Sequence, residues 1–179
     1  MSQYNIAIKR PMSANSSDDT KAVRFGLDTQ RFKSLGIVDP RSKAALEIFD
    51  HHDFSSAERL FFKLWGSDLN SGVFQPGQKL ATRGEHPVLA HFVVSGTVEA
   101  SDARGKMLFG PGSVFGVAEG LADTIYGWDA TATTMVTTKI IPIERALREV
   151  RRLNAGLKGI CRFTTMRILE LKTPPASLS

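Results

Sequence analysis

The chain has 179 residues, of which 42% are hydrophobic and 23% charged, and its formal net charge is +5. This length accommodates one buried core with additional elements, and no apolar run reaches the ~20 residues that a membrane span requires. The first residues lack the pattern of a signal peptide, and the single cysteine, Cys161, excludes an internal disulfide bond. The sequence therefore predicts a cytoplasmic protein, since a chain without disulfides is typical of a reducing compartment.

The N-terminal stretch differs in composition from the rest of the chain. Its first 24 residues are polar and contain few large apolar side chains. Such a segment buries too little apolar area to offset the entropy lost on ordering. The sequence accordingly predicts a flexible arm over residues 1–38 and one folded domain over residues 39–179.

Two helices are predicted at the start of this domain, within residues 40–66. The first follows Asp39-Pro40, where apolar residues recur at helical spacing. The second begins at Ser55, and Glu58 three residues later completes the pattern of a capping box.

A region of short strands is predicted over residues 69–142. Residues 89–94 form an apolar run that ends at the Ser95-Gly96 turn, and residues 97–101 alternate between apolar and polar side chains. Residues 102–105 are typical of a hairpin turn, and Thr, Val and Ile dominate residues 131–143. The pattern predicts strands joined by tight turns.

The last predicted elements are helices over residues 143–172. Their apolar residues follow a seven-residue repeat that is typical of a coiled-coil seam, and an amphipathic helix packed on the strands is the rival interpretation. Asn154 interrupts the repeat, and Gly156 and Gly159 lower helix stability, so we expect a break near Asn154. The seam residues assigned to self-association or docking are Leu147, Val150, Leu157 and Ile168.

The same stretch carries much of the positive charge. Residues 144–172 contain eight basic and three acidic residues. Such a face can dock on nucleic acid, an anionic membrane or an acidic protein, and the alternative is an ordinary solvated helix face. The arginines assigned to the docking surface are Arg148, Arg151 and Arg152.

Glycine-containing turns separate the predicted strands of the β region. They lie at Phe74-Gln75-Pro76-Gly77, at Val93–Glu99 and at Phe109–Gly116. Their order and spacing resemble the cyclic-nucleotide-binding domain, a small β-roll sensor module, over residues 45–172. The resemblance implies an α+β fold, in which short helices precede an antiparallel β-roll, or jelly-roll, and a C-terminal helix follows it.

The resemblance also implies where a ligand is held. In that family a Glu directly after the second Phe-Gly holds the ribose, and an Arg further along holds the cyclic phosphate. This chain has Val117 and Trp128 at these positions, and no Arg or Lys between Gly110 and Lys139. Loss of one charge-assisted contact costs roughly 1.5–3 kcal/mol, about ten- to a hundredfold in affinity. We therefore do not expect cyclic AMP to bind in the usual way.

Several arrangements could replace the missing contacts. Glu119 could substitute for the missing Glu through a two-residue register shift, or Arg83 or Arg104 could reach in from a neighbouring turn. Trp128 either fills the pocket or stacks on a flat ligand, and we favour the filled pocket. The pocket residues assigned from the resemblance are Phe115, Gly116, Val117, Ala118, Glu119, Trp128, Asp129 and Ala130.

The β-roll also resembles the cupin barrel, whose metal site needs two nearby His on one strand, a Glu and a distant His. Here His86 and His91 lie five residues apart, which places them on opposite faces of a strand, and no His follows His91. The sequence contains no nucleophile or phosphate-loop motif either. It predicts no catalytic residue, metal site or cofactor, and hence a protein that is not an enzyme.

Two hypotheses for function follow from these features. The first is a non-enzymatic, stand-alone regulatory or scaffold module that acts through protein–protein contacts, either with another protein or as a homodimer. The alternative is a ligand sensor that binds a non-standard nucleotide or an aromatic effector in the altered pocket and signals through the C-terminal helix. Sequence-specific DNA binding is not expected, because the chain ends where related transcription factors begin a helix-turn-helix domain.

Overall fold

A computed structural model describes residues 24–25, 27–103 and 105–178, and the part of the predicted arm before residue 24 lies outside these ranges. The helices are α1 (Gln30–Ser34), α2 (Lys43–His51), α3 (Ser56–Trp65), α4 (Val117–Ala122), α5 (Ile143–Arg152), α6 (Ala155–Ile168) and a 3-10 turn (Ala176–Leu178). The strands are β1 (Arg24–Phe25), β2 (Ser71–Phe74), β3 (Lys79–Ala81), β4 (Leu89–Ser95), β5 (Val98–Asp102), β6 (Gly105–Phe109), β7 (Val114–Phe115), β8 (Asp129–Ala132) and β9 (Val136–Pro142). Within the described ranges, no helix is long and apolar enough to cross a membrane.

The strands form two sheets that enclose one core. One sheet has the order β1-β6-β5-β8-β3, and the other has the order β2-β9-β4-β7. The described strand pairs are antiparallel except for the parallel pair of β1 and β6. Val98 and Ala130 from the first sheet pack with Val93 and Val136 from the second, and all four side chains are fully buried. The predicted α+β fold with an antiparallel β-roll is confirmed.

Strand β4 separates this core from a second one. Successive side chains of a strand point to opposite faces. Val93 therefore packs inside the roll, whereas Phe92 and Val94 pack against α1, α2 and α3. Contact on both faces explains why the strand is buried from His91 to Val94.

The predicted arm over residues 1–38 is wrong for residues 27–38. Helix α1 lies in this stretch, and its Phe32 is only 1% exposed. The Phe32 ring lies 5.3 Å from the ring of Phe54 and 5.4 Å from that of Phe61, measured between centroids. These contacts join residues distant in sequence, so the composition of the arm alone does not reveal the burial that offsets its ordering entropy.

The capping box predicted at the start of α3 is confirmed. The Ser55 hydroxyl accepts a hydrogen bond from the backbone N–H of Glu58 at 3.3 Å, and Glu58 Oε2 accepts one from the backbone N–H of Ser55 at 2.7 Å. Hydrogen bonds from the Ser55 side chain and backbone hold the pKa of Glu58 below its ordinary value. Arg31 of α1 donates to the carbonyl oxygen of Asp53 at 2.6 Å, which fastens α1 beside this helix start.

The C-terminal helices do not form one continuous seam. Helix α5 ends at Arg152 and α6 begins at Ala155, and Asn154 caps α6 by accepting a hydrogen bond from the backbone N–H of Leu157 at 2.9 Å. The predicted break near Asn154 is therefore confirmed. The single coiled-coil seam suggested by the repeat is wrong, because two non-helical residues separate its halves.

Candidate functional site

The site predicted from the resemblance begins at a glycine turn between β7 and α4. Gly116 has a φ of +86°, and a Cβ atom at this position would lie 2.5 Å from the Tyr126 hydroxyl and 3.1 Å from Cα of Ala90. Only glycine fits a left-handed backbone with so little space. Gly116 is the N-cap and Val117 the first residue of α4, so a helix begins at this turn.

The Glu119 side chain is buried beside this helix start and is 5% exposed. Burial raises the pKa of Glu119, and hydrogen bonding to the backbone of Gly116 and Glu119 and to the Trp128 side chain opposes that effect. Among the described residues, no Lys, Arg or His forms an ion pair with this carboxylate.

Trp128, which the resemblance aligns with a phosphate-binding Arg, packs its ring into an aromatic cluster. Its centroid lies 5.1 Å from that of Tyr126, 5.6 Å from that of Phe109 and 5.8 Å from that of Phe115. The indole is half-buried. The surroundings of Trp128 are therefore mainly aromatic.

The remaining predicted pocket residues divide into two groups. Phe115, Ala118 and Ala130 are buried in the fold. Asp129 instead faces outward, because its carboxylate accepts a hydrogen bond from Lys79 Nζ at 3.0 Å, which holds the pKa of Asp129 below its ordinary value. The structure therefore brings Glu119 and Trp128 together with Phe115 and leaves Asp129 outside the group.

Arg83, one of the cations considered for the pocket, has an exposed side chain. Its backbone N–H donates to Asp129 at 3.4 Å, which holds the turn that follows β3 rather than the pocket. Arg104, the other cation considered, lies outside the described residues.

Sequence reasoning missed two partners of this site. Tyr126 and Phe109 complete the aromatic cluster. Burial raises the pKa of Tyr126, and its hydroxyl donates to the carbonyl oxygen of Leu89 at 3.2 Å. Tyr126 carries no periodic signal in the sequence, because residues 127 and 128 form a bend before β8.

A cavity of about 290 Å³ lies beside this site, where α4 meets α5 and the C-terminal 3-10 turn. Its walls are formed by His86, Pro87, Glu119, Gly120, Asp123, Thr124, Ile143, Leu147, Arg151 and Ser177. The turn covers α4, since Leu178 is fully buried and the Ser177 hydroxyl donates to the carbonyl oxygen of Leu121. Leu147 and Arg151, which were assigned to a docking surface, are therefore walls of a cavity.

The other predicted docking residues lie in different environments. Val150 is half-buried, whereas Arg148 and Arg152 are exposed on α5 and lie near Glu144 and Glu149 of the same helix. Leu157 and Ile168 are 47% and 62% exposed on α6. Most members of the assigned set are thus exposed on α5 and α6, and Val150 is partly buried.

His91 is enclosed by aromatic rings inside the roll. Its ring centroid lies 5.2 Å from that of Phe115 and 5.5 Å from that of Phe74, and Nδ1 lies 3.2 Å from the Thr138 hydroxyl. His86 lies apart from it, near Asp123. Among the described residues, no group of three or more metal-ligating side chains is assembled.

Burial lowers the pKa of His91 to about 4, from 6.5 in an exposed histidine. Below pH 6.5 the unfolded chain gains a proton that the folded chain does not, so folding stability is complete above pH 6.5 and falls as the pH decreases toward 4. We expect this group to lower the free energy of unfolding by at most about 1.4 kcal/mol per pH unit in that window. Urea unfolding across the window should show a flatter profile for His91→Leu, and parallel profiles would contradict the assignment.

Comparison with known proteins supports the fold and no more. No family model matches the chain, and no curated protein does. A solved structure from work on a cyclic-GMP-dependent signalling pathway in bacterial phytopathogenesis is 20% identical, with a TM-score of 0.50, over 69% of this chain and 100% of that one. A putative cAMP-binding regulatory protein from Silicibacter pomeroyi is 24% identical, with a TM-score of 0.46, over 55% of this chain and 47% of that one.

The cAMP-bound EAL enzyme Bd1971 is 16% identical, with a TM-score of 0.49, over 55% of this chain. The match spans only 28% of that enzyme. The similarity with the TM-score of 0.50 agrees with the fold described above, an antiparallel β-roll with accompanying helices.

Proposed function

We propose that the protein is a non-enzymatic regulatory or scaffold module that does not bind cyclic AMP in the usual way and acts through protein–protein contacts. The observation that carries the first part is the buried carboxylate beside the helix start. A cyclic phosphate needs N–H donors from a helix N-terminus together with a cation. In this chain the Glu119 side chain is buried beside that helix start, and the family resemblance places Trp128 where the cation would be.

An anionic ligand would meet two penalties at this site. It would approach the buried Glu119 side chain, an acid, and it would find no charge-assisted partner in the aromatic cluster around Trp128. Each missing charge-assisted contact weakens binding by about ten- to a hundredfold. The module therefore retains the fold of a sensor and has lost the contacts of its usual ligand.

The proposed protein contacts are made by the C-terminal helices. The exposed side chains of α5 carry both charge signs, with Glu144 and Glu149 among four arginines. Arg148 lies 4.0 Å from Glu144 and Arg152 lies 3.3 Å from Glu149. The charged side chains of such a face can form ion pairs with a second copy of the chain, or with another protein that carries both acidic and basic side chains.

Calorimetric titration and light scattering test the proposal. We expect no saturable binding of cyclic AMP, cyclic GMP or cyclic di-GMP in the micromolar range, and we expect self-association that increases with protein concentration. Micromolar binding of any of these nucleotides would overturn the altered-site assignment. A strict monomer at high concentration would exclude the homodimer and leave a different protein as the partner.

The exposure of Trp128 favours one second candidate, a sensor of a non-standard nucleotide or an aromatic effector. Trp128 is only half-buried, so part of its indole face is accessible to a flat ligand. Quenching of tryptophan fluorescence by such a compound would support this candidate, provided that Trp128→Phe abolishes the change while the second tryptophan, Trp65, remains.

A further inference from the structure

Helix α6 exposes an apolar surface that the folded chain does not cover. Four of its large apolar side chains are between 47% and 75% exposed, and they are Leu157, Ile160, Phe163 and Ile168. At about 100° per residue they span an arc of roughly 140° around the helix. The buried residue Thr165 lies outside this arc, on the side that packs against the protein. The four side chains are called the α6 face below.

Helix α6 itself carries charge of one sign only. Within Ala155–Ile168 the charged residues are Lys158, Arg162 and Arg167, and none of them is acidic. Arg167 is exposed within the arc of the α6 face, and Arg162 is exposed on the opposite side of the helix. This distribution differs from that of α5, where glutamates lie among the arginines.

The uniform charge identifies the kind of surface that complements α6. Two copies of the face brought together would place arginines opposite arginines, which opposes self-association through α6. A nucleic acid would satisfy the arginines but would not cover exposed isoleucine and phenylalanine, because such interfaces are polar and strongly charged. A protein groove would need about one hydrogen bond for each 100–200 Å², and the arc offers few groups besides Thr164 and Arg167.

We propose that α6 binds the surface of an anionic lipid bilayer. The helix is about 21 Å long and would lie in the plane of the interface, with Phe163 and Ile160 inserted below the headgroups. Arg167 lies within the arc, and its long apolar stem lets the guanidinium reach the lipid phosphates while the rings insert. This inference goes beyond the proposed function, since membrane contact through α6 leaves the exposed face of α5 available to a protein.

Co-sedimentation of the full chain with lipid vesicles tests the inference. We expect binding to vesicles of phosphatidylcholine with one quarter phosphatidylglycerol, and little binding to phosphatidylcholine alone. Adding salt should weaken the binding, because it screens the attraction of the arginines to the lipid. The double variant I160S/F163S should bind about tenfold more weakly, and Arg167→Gln should weaken binding about fivefold.

The matched control is Val38→Ser, which removes an apolar side chain that is 87% exposed far from α6 in the sequence. It should bind vesicles as the wild-type chain does, and circular dichroism should show that all variants are folded. No binding to the anionic vesicles, equal binding to both vesicle types, or unchanged binding of I160S/F163S would overturn the inference. A change in oligomeric state caused by I160S/F163S would instead identify the face as a protein interface.

The outcomes separate this inference from the proposed function. Vesicle binding that is lost in I160S/F163S supports the inference even if cyclic AMP proves to bind. Absence of vesicle binding overturns it even if the nucleotides fail to bind and the protein self-associates.

Discussion

The triple variant V117E/E119A/W128R is expected to bind cyclic AMP at least about tenfold more tightly than the wild-type chain. Glu119→Ala removes an acidic side chain that is buried beside the helix start. Trp128→Arg and Val117→Glu introduce the cation and the acid that the family resemblance places there. Calorimetric titration measures the gain. The physical reason is that an anionic ligand gains a charge-assisted partner and loses a nearby acid.

The single variants test whether the weak binding of cyclic AMP depends on Glu119 or only on the absence of a cation at position 128. Trp128→Arg alone should gain little, because the new guanidinium lies beside the Glu119 carboxylate and pairs with it. Asp129→Ala is the matched control, since it removes an acid that pairs with Lys79 outside the site. It should leave nucleotide binding unchanged.

Trp128→Arg also removes an aromatic side chain from a packed cluster, so thermal unfolding must show that the triple variant is folded. Glu119→Ala alone provides a second measurement, because it removes the buried acid without changing the ring cluster. A folded triple variant with no more affinity than the wild-type chain would contradict the explanation.

The turns and helix starts of this fold were predictable because they depend on residues close in sequence. Ser55 and Glu58 form the capping box within one helical turn. Gly96, at the Ser95-Gly96 turn, has a φ of +83° and a virtual Cβ 2.2 Å from the carbonyl oxygen of Met135, so only glycine fits there. Local requirements of this kind can be predicted from the residue types in the sequence.

The environment of Glu119 was predicted only in part. The family resemblance implies an Arg at position 128, and the Trp found there indicated an altered site. The burial of the Glu119 side chain was not visible, because it depends on how α4 packs against the rest of the fold. From the sequence, Glu119 was considered as a shifted ribose contact, whereas the structure places it beside the helix start with 5% exposed.

The C-terminal seven-residue repeat shows a different limit of prediction from sequence. Its seven-residue spacing is correct as a pattern, but Asn154 caps a new helix and interrupts the surface that the pattern would form. The apolar residues that are most exposed on α6 include Ile160 and Phe163, which lie outside the repeat. Periodicity indicates which residues share a helix face only while the helix continues.

Replacement of Phe32 by alanine is expected to lower the free energy of unfolding by about 3–5 kcal/mol. Its ring packs against Phe54 and Phe61 and lies 6.4 Å from Trp65 at near-perpendicular orientation, so alanine would leave a cavity at the centre of the helical core. Domains of this size are stable by only about 5–15 kcal/mol in total. Urea unfolding measures the loss.

Lys33→Ala is the matched control for Phe32→Ala, because Lys33 is exposed on the same short helix and its removal should change stability by less than about 0.5 kcal/mol. Equal and small losses for the two variants would mean that residues 27–38 behave as the flexible arm that composition predicts. A large loss confined to Phe32→Ala would mean that α1 is part of the core. The boundary of the folded domain then lies before α1, because the side chain that binds α1 to the core finds its partners twenty and more residues further along the chain.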